Sequence, residues 1–404
     1  MSSTPQDSNV RLYKRPRIRL LVALGIGLIG LALRVHMALT GPVEWDEPIY
    51  LQAALNYAQD IRSGSWDQLM NSNYNYEHPL FNKLAYAGLL ALRKPAPGLN
   101  ESTFQPGGDI QPSPYFTRML SLRLVSVAFG SAAVFILSLI NPLAGLFLAV
   151  QTYAVKYTSV IYLEALPMCL SLLSVYTFAK FQAAHSPEQP ASRPRLGWLA
   201  ASGILIGLAA ASKYIYGVTG LAVLIYAVIQ GRKNLPRLIQ SLLIWGAFAA
   251  VFFVLGDPAL WSHPLAHFYR SLTYSVHYSQ SDPTVLRKDY PFWQPLAWLA
   301  LSILQQPPQL TPFFTTSGNF LLAVDSLFLP FALLGWRRMS KAHPLFGWWL
   351  VVGLAFLLAW NTKWPQYILL ILVPYCLSAA CGVGLVVQFL NSAVLRWKSR
   401  LRTQ

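Results

Sequence analysis

Charge is what this sequence has least of. Only 11% of its residues are Asp, Glu, Lys or Arg, against about 25% in soluble globular domains. Acids are scarcer still, 15 against 31 Lys and Arg. With 54% hydrophobic residues over a length of 404, that scarcity excludes a soluble domain and implies a polytopic membrane protein. Cysteine is nearly absent: Cys169, Cys376 and Cys381 all sit in apolar runs, with no spacing that offers a disulfide framework or a zinc site. No internal repeat or low-complexity tract stands out. No small-residue cleavage site follows the first apolar run, so it is expected to be a retained span rather than a signal peptide. The net charge of +16 does not indicate nucleic acid as a partner. Its cations lie in short clusters beside apolar runs, where they orient a membrane protein.

What is there is an all-α pattern. Apolar runs near 20–39, 118–140, 143–157, 161–181, 196–212, 214–230, 237–256, 320–336, 345–360 and 365–390 predict a bundle of about ten transmembrane helices. Arg11, Lys14, Arg15, Arg17 and Arg19 precede the first run and place the N-terminus in the cytosol. Alternation then puts Arg193 and Arg195, Arg232, Lys233 and Arg237, Arg337, Arg338 and Lys341, and Arg396, Lys398, Arg400 and Arg402 inside. Of the acids, only Asp7 and Glu188 fall inside with them. The chain reads as one membrane domain over 1–404, with a cytosolic tail at 1–17 and a basic cytosolic tail at 391–404. Two long external loops are expected, at 41–117 and 257–319. The first holds two helices, 48–61 and 79–92, each opened by a proline, which suits a first helical turn. Each is too short to cross and is expected to lie at the membrane surface; counting 79–92 as a span would invert everything after it. The stretch 95–114 is rich in Pro, Gly and Ser. The second loop carries His263, His267, His277, Arg287, Lys288 and Asp289, a short helix over 294–305 and the Pro-rich 306–312.

The polar groups then need placing. Glu44, Asp46 and Glu47 stand within four residues, just before Pro48. A helix cap explains one such acid; three beside a membrane face point to a site. Glu77-His78-Pro79 repeats the form. Glu164 lies at the outer end of an apolar run, where an ionisable group usually faces a cavity; a boundary acid touching Lys156 is the alternative. Lys213-Tyr214, Lys363 and Arg118 are external cations that break the positive-inside pattern. They call for an anionic partner, or else snorkel to headgroups. His263 and His267, four apart, share a helix face. With Glu77 or Asp257 they would hold a divalent metal, but no metal motif is matched, and a solvated loop is the alternative.

In order and sidedness these features resemble the GT-C membrane glycosyltransferases, and within them the group of protein O-mannosyltransferases and lipid A aminoarabinose transferase. The resemblance rests on Trp45-Asp46-Glu47, Glu77-His78-Pro79-Leu80, Arg118 with Arg123, Tyr162-Leu163-Glu164-Ala165, Gly207-Leu208-Ala209 with Lys213-Tyr214, and Lys363 with Tyr367 and Pro374. It runs from about residue 20 to 385; Leu80 departs from the second proline many members carry. It implies a polyprenyl-phosphate-linked sugar donor and inverting transfer on the outer face of the plasma membrane. Asp46 is then the favoured general base, with Glu47 and Glu164 orienting the acceptor or tuning the base. Lys213, Arg118 and Lys363 would neutralise the donor phosphate, supported by Glu77, His78, Tyr214 and Tyr367. The resemblance fixes no cofactor, and a divalent metal at His263 and Glu77 stays an alternative. Membrane lipids and the lipid donor are the implied partners. Two other classes stay open: a different external lipid-linked transferase, and a secondary transporter, which would string its ionisable groups near the midplane.

Overall fold

The computed structural model describes residues 16–111, 113–183, 196–300 and 325–402, and all regular structure among them is helical. The chain enters through α1 (Pro16–Thr40) and turns into a cap layer of α2 (Glu47–Ser63), α3 (Trp66–Asn71) and α4 (Phe81–Ala91). It returns through α5 (Phe116–Ile140), then α6 (Pro142–Val150), α7 (Thr152–Tyr157), α8 (Ala165–Ala183), α9 (Leu196–Ser212), α10 (Gly217–Gly231) and α11 (Leu235–Gly256). A second cap layer follows in α12 (Ala259–Ser262), α13 (Pro264–Ser281), α14 (Pro283–Lys288) and α15 (Gln294–Ala300). The bundle closes with α16 (Phe328–Ala342), α17 (Pro344–Ala359) and α18 (Leu369–Arg402).

Five described helices are long and apolar enough to cross a membrane: Pro16–Thr40, Phe116–Ile140, Tyr214–Gly231, Leu235–Gly256 and Pro365–Leu401; α9 and α17 are shorter apolar helices. The two surface helices expected before the second crossing are α2 and α4, with bounds shifted by a residue or two. The stretch 143–157, expected as one span, is instead broken at Gln151. The Gln151 backbone is extended and its side chain accepts from Ala154 N at 2.7 Å, capping α7. The freed carbonyls at the end of α6 are met by the buried Arg34 of α1, which donates to Leu148 O and Ala149 O at 3.3 Å each and to Thr158 Oγ1 at 2.7 Å. An unpaired backbone group in an apolar interior is expensive, so a break there needs such a donor. The expected span 320–336 appears as α16 from Phe328 onward. Its first part lies outside the described residues, with 306–312, Asp7, Arg11, Lys14, Arg15, Glu188, Arg193 and Arg195.

α1 and α5 pack antiparallel, which fixes the two ends of the bundle. Arg19 at the start of α1 donates to Leu139 O at the end of α5. At the opposite end, Arg123 of α5 donates to Ala38 O of α1 at 3.0 Å. The chain's alternation carries Arg232, Lys233, Arg337 and Arg338 to the first end. Glu44, Asp46, Glu164, Lys213 and Asp257 come to the second, beneath the cap layers.

The helix that delivers Lys213 is set by small residues. At Gly203 a Cβ would meet Trp245 O of α11 at 2.5 Å, and at Gly207 it would fall on Ala249 O. This four-residue spacing lets the α9 and α11 backbones touch, the usual way membrane helices gain packing. Gly207→Leu should therefore destabilise the protein by about 1–3 kcal/mol through overpacking. The readout is the thermal unfolding midpoint in detergent; an unchanged midpoint would mean this close approach is absent.

Candidate active site

The three carboxylates at the start of α2 separate into three environments. Glu47 is fully buried and held by Arg123, which donates Nε to Oε1 at 2.9 Å and Nη2 to Oε2 at 2.6 Å. Glu47 also accepts Ile161 N at 2.7 Å and Glu44 N at 2.9 Å. Arg123 spends its remaining donors on Ala38 O, Gly41 O and Pro42 O at 2.8–3.0 Å. Every polar edge of this pair is used inside the protein. Glu44 is buried beside Lys156, whose Nζ lies 3.0 Å from Glu44 Oε1. Lys156, weighed from the sequence as a neighbour of Glu164, thus pairs with Glu44.

Asp46 is different. It occupies the N-cap position of α2, yet its side chain makes no capping bond. It is half-buried, and its backbone N–H points at Tyr162 Oη, 3.4 Å away. Burial first, then the charges of Glu77, Glu164 and Glu44, with Lys213 opposing them, push the Asp46 carboxyl up to about 7. Desolvation and like charge both disfavour the ionised form. The result is a carboxyl that shares its proton with its surroundings near neutrality.

Facing it, Lys213 forms a buried ion pair with Glu164 and lies 4.9 Å over the Tyr367 ring. Lys213 follows the last turn of α9 with an extended backbone, where a cation meets the negative end of the helix. Glu164 enters just before α8, and its Oε2 is buried with no hydrogen-bond partner among the described residues.

Glu77 and His78 complete the cluster. They line a cavity of about 320 Å³ together with Tyr214, Tyr367, Phe268 and Tyr278. Burial raises the Glu77 carboxyl and depresses His78 well below the usual imidazole range, with Lys213 and Lys83 lowering the histidine further. His78 is therefore neutral at pH 7, and its 3.4 Å approach to Glu77 is a dipolar contact rather than a charge pair. Neither acid nor imidazole caps α4, whose N-cap is Leu80.

A group the sequence reading passed over holds this loop. Lys83 is fully buried, and its Nζ donates to Asn73 Oδ1 at 3.0 Å and to Asn75 O and His78 O at 2.7 Å each. Burial lowers the Lys83 ammonium and raises the Asp257 carboxyl to about 6, each charge pulling the other the opposite way. The signal was available. Asn82, Lys83, Tyr86, Ala87 and Leu90 form the buried stripe of α4 at helical spacing, so Lys83 could not point to water.

Asp46, Glu77, His78, Glu164, Lys213, Tyr214 and Tyr367 are thus brought together, but four other expected residues are not. Glu47 is sequestered with Arg123. Arg118 points away, donating to Lys94 O at 2.7 Å. Lys363 turns back on the end of α17, donating to Trp360 O and, at 3.1 Å, to Leu358 O. His263 is exposed at the N-cap of α13, and no group of three potential metal ligands gathers among the described residues. Lys288, from the second cap layer, comes within the electrostatic reach of Asp46 and lies 4.8 Å over Trp364.

Comparison with known proteins gives three findings. The family model of dolichyl-phosphate-mannose-protein mannosyltransferases matches residues 57–263, just over half the chain. That stretch contains Glu77, His78, Arg118, Glu164, Lys213 and Tyr214, and leaves Asp46 and Lys363 outside. No curated protein matches the sequence. Among solved structures, ArnT from Cupriavidus metallidurans bound to undecaprenyl phosphate is similar at 15% identity and TM-score 0.52, over 92% of this chain and 60% of that one. The archaeal oligosaccharyltransferase AglB from Archaeoglobus fulgidus, in complex with an inhibitory peptide and a dolichol-phosphate, is similar at 13% identity and TM-score 0.51, over 96% and 52%. The chain therefore spans only part of the length of these neighbours. The shared feature is the fold, the GT-C membrane bundle that the motif order implied.

The split between Glu47 and Asp46 can be measured. Glu47→Gln strands a buried guanidinium and should lower stability by about 3–5 kcal/mol. Asp46→Asn removes a carboxylate that burial and like charge already disfavour, so stability should be unchanged or raised. Thermal unfolding of both variants in detergent decides it; equal losses would reject the separation of roles.

Proposed function

The chain belongs to the dolichyl-phosphate-mannose-protein mannosyltransferase family, and on that premise we propose that it is a glycosyltransferase that moves a sugar from a polyprenyl-phosphate carrier to an acceptor hydroxyl or amine. In this reading the acid end of the bundle faces outward from the plasma membrane, with the basic end and both termini in the cytosol. A lipid-linked donor is the sugar source that reaches such a face. The observation that carries the proposal is the gathering, at one end of the bundle, of Asp46, which makes no ion pair among the described residues, and the buried Lys213–Glu164 pair, whose lysine charge acts on it. The cavity walled by Glu77, His78 and apolar side chains adjoins them.

Asp46 accepts the proton of the acceptor O–H or N–H as the acceptor atom bonds to the sugar's anomeric carbon. The bond from that carbon to the phosphate oxygen breaks on the opposite face, inverting the centre, and its electron pair leaves with the lipid phosphate. Lys213 meets the charge that develops on that phosphate, a preorganised contact in a site screened from water. Glu164 orients Lys213, and with Glu77 it keeps the Asp46 proton affinity near neutral, where a general base works best. Aromatic faces at Tyr214, Tyr367 and Tyr278 line the cavity that would receive the donor. Transport is less well supported, because the charged groups gather at one end instead of along the midplane.

The base must be ionised to act. With the Asp46 carboxyl near 7, transfer should fall about tenfold per pH unit below that point and level off above it. Asp46→Asn should lower turnover by about 10²- to 10⁴-fold and abolish this pH dependence. Transfer from a synthetic polyprenyl-phosphate sugar in nanodiscs measures both, and near-normal turnover in the variant would remove Asp46 from the base role. Lys213→Ala should raise the donor KM at least about tenfold, the scale of one charged hydrogen bond. An unchanged donor KM would leave Lys213 a structural partner of Glu164.

A further inference from the structure

A second cavity, of about 590 Å³, lies between α2 and the 94–99 loop and shares no lining residue with the cavity above. One wall is a row of amides, Gln52, Asn56 and Gln59. Their spacing of four and three residues puts them on one face of the helix. Gln52 Nε2 donates to Asn56 Oδ1 at 2.8 Å, and Gln52 Oε1 accepts Glu101 N at 3.1 Å, so the row is tied to the facing loop. That loop is itself fixed. Tyr115 Oη donates to Pro97 O at 2.5 Å, and Asn100 with Thr103 forms a capping box. Gly98, at φ +83°, sits where a Cβ would lie 2.8 Å from Tyr115 Oη. Leu55, Leu90 and Leu99 give the cavity an apolar floor.

The far end is cationic. Arg62, Lys94 and Arg118 line it, and Arg93 stands within electrostatic reach of Arg118. No carboxylate lines the cavity, and none of the ion pairs among the described residues uses these four cations. Capping occupies part of them. Arg62 donates Nε to Ala91 O and Nη2 to Leu90 O and Arg93 O, and Arg118 donates Nη2 to Lys94 O. Arg62 Nη1 and Arg118 Nε and Nη1 make no bond among the described residues. Helix capping accounts for cations at the end of α4. It does not account for a concave amide wall and an apolar floor leading up to them.

Amides match sugar hydroxyls, an apolar floor matches the C–H face of a sugar ring, and unpaired guanidinium edges match a carboxylate or phosphate. We propose that this cleft binds an anionic saccharide and is a distal subsite for the acceptor. The acceptor part of that assignment rests on the transferase reading. The helix itself sets the scale: Asn56 lies ten residues beyond Asp46 on α2, roughly 15 Å at the helical rise. A saccharide of a few units held by its acidic end in the cleft would run along α2 toward the proposed base.

The test uses the full chain in phosphatidylcholine nanodiscs and calorimetric titration with trigalacturonate, neutral maltotriose and inorganic phosphate. Trigalacturonate should bind at least tenfold more tightly than maltotriose or phosphate, and more weakly as salt rises. The Lys94→Gln/Arg118→Gln double variant should lose at least tenfold in affinity. Asn56→Leu, which touches no cap, should weaken binding in the same direction, with thermal unfolding reporting that both variants are folded. Absence of trigalacturonate binding, equal binding of the neutral trisaccharide, or full retention in the double variant would overturn the proposal. Phosphate binding as tightly as trigalacturonate would overturn its saccharide part. Asp46→Asn should keep the binding intact whatever it does to transfer, so failure of the cleft and failure of the transferase reading give different results.

Discussion

The Arg123–Glu47 pair holds the acid end of the bundle together. One guanidinium reaches the last turn of α1, the turn at 41–42 and the first residue of α2, while Glu47 reaches back to Glu44 N and across to Ile161 N. These contacts place Asp46, one residue before the clamp, and Glu164, three residues after Ile161, relative to one another. A buried ion pair is weak evidence of net stabilisation, since removing both charges from water is costly. Its value lies in direction. A guanidinium with five fixed donors and a carboxylate with two oxygens admit few arrangements, and apolar side chains in the same space would not specify where Asp46 points.

With the pairs assigned, the charge around Asp46 becomes simple. Lys156 pairs with Glu44 and Lys213 with Glu164, and His78 beside Glu77 is neutral. Asp46 is left with no ion pair among the described residues, beside acids that keep its proton affinity up and lysines, Lys213 foremost, that keep it down. Lys83 acts at one remove. By drawing Asn73, Asn75 and His78 carbonyls onto one ammonium, it folds the 73–78 loop so that Glu77 and His78 form a wall of the cavity.

Much of this was legible in the chain. Helix positions, the two surface helices and the grouping of polar residues by bundle end all follow from apolar run length and from where the cations cluster. What the sequence did not carry was partner choice. Glu44, Asp46 and Glu47 read as one acidic cluster because adjacency is all a sequence offers, and only packing sends one to Lys156, one to Arg123 and one to the cavity. Arg118 and Arg123 read as one motif, yet five residues along a helix is about 140° of rotation, so both cannot face the same site. The break at Gln151 was illegible for another reason. Neither Pro nor Gly interrupts residues 146–157, and the donor that permits the break, Arg34, sits more than a hundred positions away.

That distance explains a further feature of the fold. Arg34 and Arg123 are both fully buried, and each satisfies carbonyls at a helix end in an apolar bundle. Arg34 allows α6 to stop, so that α7 and the 158–164 segment turn beneath the cap layer and bring Glu164 to Lys213. Arg123 then anchors that same segment through Glu47 and Ile161 N. The two arginines serve one purpose at opposite ends of a short irregular stretch. Non-helical backbone in an apolar bundle persists where buried donors and acceptors meet it. Here the stretch they support carries Tyr162, which approaches the Asp46 backbone, and Glu164, which holds Lys213. The polar cluster exists at this depth because two buried cations make an irregular backbone tolerable beside it.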